Sequence, residues 1–109
     1  MNRLPMSAAA AALLRALIAR AGIPRDRILL TDVRSTDWQS LTLVGERHQL
    51  QLRIAGDSSG AAQRMCADLE DAEFHIHGHI VADIALVGEP ARADDGSIAL
   101  AIEALTIEE

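Results

Sequence analysis

The sequence predicts a two-layer α+β fold: a two-layer sandwich with two helices on one face of a four-stranded, mainly antiparallel sheet. Three observations carry this. Apolar residues recur at helical spacing over 7–21 and again over about 58–72. Four other stretches are rich in Ile, Leu and Val, and in the last three apolar residues recur at every second position, the period of a half-buried strand. The elements follow one another in the order α-β-β-α-β-β. Two amphipathic helices cover one side of such a sheet and leave the other open. At 109 residues, half of them apolar, the chain reads as one domain, 1–109, with a real core.

The first helix is the clearest element. Ser7 is placed to cap it, and Ala10, Leu13, Leu14, Leu17, Ile18 and Ala21 fall on one stripe. Gly22 supplies a stop and Pro24 prevents continuation. Arg15 and Arg20 interrupt the apolar run, which argues against a secretory leader, and no apolar stretch reaches the roughly 20 residues of a membrane span.

Ile28–Val33 reads as a strand, followed by turn-forming Ser35, Thr36 and Asp37 with Trp38 beside them as a lid on the core edge. The next strand runs from about Leu41 to Ile54. Its apolar parity switches near Gly45, which suggests a bulge between Gly45 and Arg47 or, failing that, a hairpin loop. Gln49, Gln51 and Arg53 point away from the core in either case. GDSSG at 56–60 starts the second helix with Asp57, Ser58 or Ser59 as cap, and Ala62, Met65, Cys66 and Leu69 form its apolar stripe.

Phe74–Gly88 reads as the third strand. Phe74, Ile76, Ile80, Ala82, Ile84 and Leu86 take the core face, and His75, His77, His79 and Asp83 the other. Asp95-Gly96 marks a tight turn. The last strand carries Ile98, Leu100 and Ile102 on one parity and Leu105 and Ile107 on the other, so a second bulge is expected near Glu103.

Composition excludes more than it assigns. The net charge is −6 and all ten basic residues are Arg, without a basic cluster, so nucleic acid is not an expected partner. Trp38 and Phe74 are the only aromatics, too few for a base-stacking platform. Cys66 is the only cysteine, which removes disulfides and cysteine-based zinc sites. Nothing resembles a Gly-rich phosphate loop, a nucleophile elbow or a metalloprotease helix.

Function is therefore sought on the open face, where the candidate binding residues are His75, His77, His79, Asp83, Arg53 and Gln51. No catalytic set, metal or cofactor is expected. A mixed Gln, Arg, His and Asp surface suits association with a second copy or another protein, and the chain reads as a cytoplasmic assembly module that forms a homodimer. With His77 near a two-fold axis, that association would weaken as pH falls through about 6.5. The alternative is a metal-binding domain, or a minor enzyme with a histidine as general base, using His75, His77 and His79, since imidazoles two residues apart on one strand face can share an ion if a neighbouring strand supplies another ligand.

Overall fold

The computed structural model describes residues 5–56 and 60–109, so the cap expected from Asp57, Ser58 or Ser59 lies outside the described residues. The elements are α1 (Ala8–Ala21), β1 (Ile28–Gln39), β2 (Val44–Ile54), α2 (Ala61–Cys66), β3 (His79–Leu86), β4 (Ala91–Arg92) and β5 (Ile98–Glu108). Single 3-10 turns at Arg25–Arg27 and Leu69–Asp71 link them. The order β1-β2-β5-β3 makes one antiparallel sheet, and the two-residue β4 extends the β3 edge by pairing with the start of β5. The α+β fold with helices against one face is as the sequence predicts.

α1 forms where its stripe and caps require. The Ser7 hydroxyl accepts from the Ala10 N–H at 3.1 Å, and Gly22 takes the left-handed conformation that ends the helix. Leu13, Leu14 and Leu17 are buried against Leu50, Leu52 and Ile54 of β2, Leu100 and Ile102 of β5, and Ile84 of β3. Ala61, Ala62 and Met65 of α2 complete this core.

Several boundaries differ from expectation. β1 runs through Ser35, Thr36 and Asp37 to Gln39, because full antiparallel pairing with β2 outweighs the turn preference of those residues. The reversal is instead at 40–43, where the Ser40 N–H donates to the Leu43 carbonyl and the Leu43 N–H to the Ser40 hydroxyl. Leu41 and Leu43 are thus exposed turn residues, so no bulge in β2 is needed to bring them inward. β2 and β5 pair without a register shift from Gly45–Ile107 to Ile54–Ile98, which also removes the bulge expected near Glu103.

The irregularities lie in the edge strands, between Leu30 and Asp32 in β1 and between Val81 and Asp83 in β3. An extra residue at an edge disturbs one ladder only. In β3 it reverses the facing of the strand's first residues. Val81 packs against the core while Ile80, expected inward, is 53 % exposed.

α2 is much shorter than expected. Ala67 is extended and Asp68 adopts a positive φ of 48°, a conformation that ends the helix before the 3-10 turn carrying Leu69 inward.

Candidate site on the open sheet face

Pairing and burial together assign each strand residue to a face. On the helix-covered face stand Val33 and Ser35 of β1, His48, Leu50 and Leu52 of β2, Leu100, Ile102, Ala104 and Thr106 of β5, and Ile84 of β3. The intervening positions form the open face in level rows across the sheet. One row is Trp38, Gly45, Ile107 and Ile80; the next is Thr36, Arg47, Leu105 and Asp83; the third is Arg34, Gln49, Glu103 and Ala85. Farther along stand Asp32, Gln51 and Ala101, then Leu29, Arg53 and Ala99.

The apolar residues whose parity suggested bulges are therefore open-face residues. Leu105 is half-buried and Ile107 is buried, yet neither belongs to the core cluster between sheet and helices. Trp38 is half-buried in the same row, directly across from Gly45, rather than lidding the core. Gly45 has a steric reason to be glycine: a Cβ there would stand 1.9 Å from the Thr106 carbonyl oxygen.

Charge is divided across this face. Arg34 and Arg47 project from the β1–β2 half, and Asp83 and Glu103 from the β3–β5 half, all exposed. Asp32 lies 3.6 Å from Arg34 within the basic half. Arg53 stands farther along, where its charge acts on Asp95 in the hairpin loop. The Ser97 hydroxyl and N–H both donate to the Asp95 carboxylate, at 2.6 and 2.9 Å, and hold its pKa below the usual value. A shallow depression beside Arg53 is lined by Thr31, Gln51, Val87 and Ala101.

Of the residues singled out in the sequence, Gln51, Arg53 and Asp83 share the open face as expected. The histidines do not. β3 begins only at His79, because Gly78 turns the chain at φ 79° and Ile76 bridges back to His79. His75 and His77 precede the strand in an exposed irregular segment. His79 lies before the bulge and so faces the helix side, near His48, whose charged form it disfavours. The single histidine face predicted for 74–88 is thus corrected, and acid-weakened association through His77 has no imidazole on the open face among the described residues. Nor do three or more His, Cys, Asp or Glu side chains stand together as a metal-binding group among the described residues.

The buried histidine is His48, a possible metal ligand only if a β2 bulge turned it outward; with no bulge there it faces inward. Its Nδ1 lies 2.7 Å from the Ser35 hydroxyl and its Nε2 2.8 Å from the Thr106 hydroxyl, with both His48 and Thr106 wholly inaccessible. Burial pushes its pKa down, partly opposed by Glu46 and reinforced by His79. With both nitrogens satisfied, this is a polar clamp joining β1, β2 and β5. The signal was present in the even parity His48 shares with Leu50, Leu52 and Ile54.

No protein-family model matches the chain, and no curated protein matches it. A solved chain similar in structure comes from the virion of a native gene transfer agent (GTA) particle. It is 18 % identical, the match covers 94 % of this chain and 99 % of that one, and the TM-score is 0.62, a likeness of fold.

Proposed function

We propose that the chain is a non-catalytic assembly component that associates with copies of itself through the open sheet face. The observation carrying this reading is the open-face row in which exposed Ile80 and half-buried Trp38 flank buried Ile107, bordered by exposed charges of both signs on opposite halves of the sheet. A monomeric protein gains nothing in folding from leaving Ile80 at the surface, whereas interfaces combine apolar contact with a charged rim. The fold likeness to a chain of a virion particle supports the same reading, since such a particle is built by protein association.

Gln51, Arg53 and Asp83 are the contacts proposed from the residues first singled out; His75, His77 and His79 lie off this surface. We place the chain in the cytoplasm, where Cys66 stays reduced. Among the described residues no helix is long and apolar enough to cross a membrane. Sedimentation velocity over a hundredfold concentration range tests the reading. A concentration-dependent shift from monomer to dimer is expected, weakened by Ile80→Asp; a monomer at every concentration overturns it.

A further inference from the structure

We propose that two copies pack open face to open face about a two-fold axis parallel to the strands, so that the arginine half of each sheet lies over the carboxylate half of the other. This rests on the self-association reading and adds its partner and its geometry.

The argument is one of charge and symmetry. Across the sheet the order is β1-β2-β5-β3, with Arg34 and Arg47 on the first two strands and Glu103 and Asp83 on the last two. Two sheets meet face to face by a two-fold rotation about an axis in the interface plane. If the axis lies across the strands, β1 and β2 of one copy cover β1 and β2 of the other, and arginines meet arginines. If the axis runs along the strands, β1 covers β3 and β2 covers β5. Arg47 then meets the Leu105–Asp83 part of its own row in the second copy, and Gln49 meets Glu103. Among the described residues neither Arg47 nor Asp83 has an ion-pair partner within the chain, so both are available for this contact.

The apolar row fits the same axis. Rotation about an axis along the strands keeps each row at its own height. Trp38 therefore lies over Ile80 of the second copy, and the β5 position of Ile107 over the β2 position of Gly45. The other axis carries this row toward the opposite end of the partner sheet. Size is adequate as well. Strands of twelve, eleven, eleven and eight residues, about 4.8 Å apart and rising about 3.3 Å per residue, present about 670 Å², near the ~800 Å² per partner of a standard interface. Aligned packing of two twisted sheets at about −30° accommodates it.

The test uses charge exchange between copies, measured by sedimentation equilibrium. Arg47→Asp and Asp83→Arg each place two like-charged contacts in their own homodimer, so each raises the dimer Kd about tenfold or more. An equimolar mixture of the two variants forms a heterodimer in which both contacts are again complementary, with a Kd within about threefold of the unaltered protein. Recovery on mixing also shows that both variants fold. If the unaltered protein dimerises but mixing recovers nothing, the along-strand geometry is overturned and self-association stands. If the unaltered protein is monomeric throughout, both fail.

Discussion

Arg20 and Arg64 close each other's helix. The Arg20 guanidinium, from the last turn of α1, donates to the Met65 carbonyl at 3.0 Å and to the Ala67 carbonyl, at the end of α2. Arg64, from α2, donates to the Ala21 carbonyl at 2.9 Å, at the end of α1. The last carbonyls of a helix have no partner within it and carry the negative end of its dipole, so a cation there satisfies both needs. Arg20 also lies over the Phe74 ring, 5.7 Å from its centroid, and thereby ties in the segment before β3.

This exchange predicts that Arg20→Met and Arg64→Met, which keep the aliphatic stems, each destabilise by about 1 kcal/mol in urea unfolding. Arg20→Met removes two hydrogen bonds and the ring contact with Phe74. A double variant whose loss differs from the sum measures the coupling across the helix pair. Equal stability of both single variants and the unaltered protein would rule out a capping role.

Thr106→Val removes the partner of a wholly buried imidazole nitrogen at nearly constant volume. The stranded nitrogen costs about 1–3 kcal/mol. His48→Leu with Thr106→Val should be less damaging than the two single losses added together, because no polar atom is then left behind by the pair. Thermal unfolding of the three variants decides the matter.

The same histidine sets an acid limit. Burial holds the folded pKa of His48 below the ordinary value of 6.5, so on acidification the unfolded chain takes up the proton first. Stability attributable to His48 is fully present above pH 6.5 and is lost as pH falls from there through the lower folded value. His48→Gln should flatten this part of the stability–pH curve between pH 5 and 7 as followed by urea unfolding. An unchanged slope would place the sensitivity elsewhere.

Gly45→Ala sets a new Cβ 1.9 Å from the Thr106 carbonyl oxygen, at the first pair of the β2–β5 ladder, where only backbone can yield. The expected loss is about 3 kcal/mol or more. By contrast Leu41→Ser, at the fully exposed tip of the β1–β2 turn, should change stability by no more than about 0.5 kcal/mol. Parallel denaturant titrations compare the two.

What the sequence by itself determined is the α1 boundary set by Ser7 and Gly22, the core stripe of Leu13, Leu14 and Leu17, the inward alternation of Leu50, Leu52 and Ile54, and the α+β order. Each follows from spacing within one element, where local periodicity and burial agree. The tertiary structure decided the rest, because it depends on what lies across the ladder. Leu105 and Ile107 looked like core residues displaced by a bulge; continuous pairing with β2 shows them facing the open side. Ser35 looked like a turn residue until pairing with β2 placed it beside His48. The histidines of 75–79 alternated like a strand, yet Gly78 turns the chain and β5 offers His79 the first paired position. Period-two alternation records that side chains take turns, but only the neighbouring strands determine which side is inside.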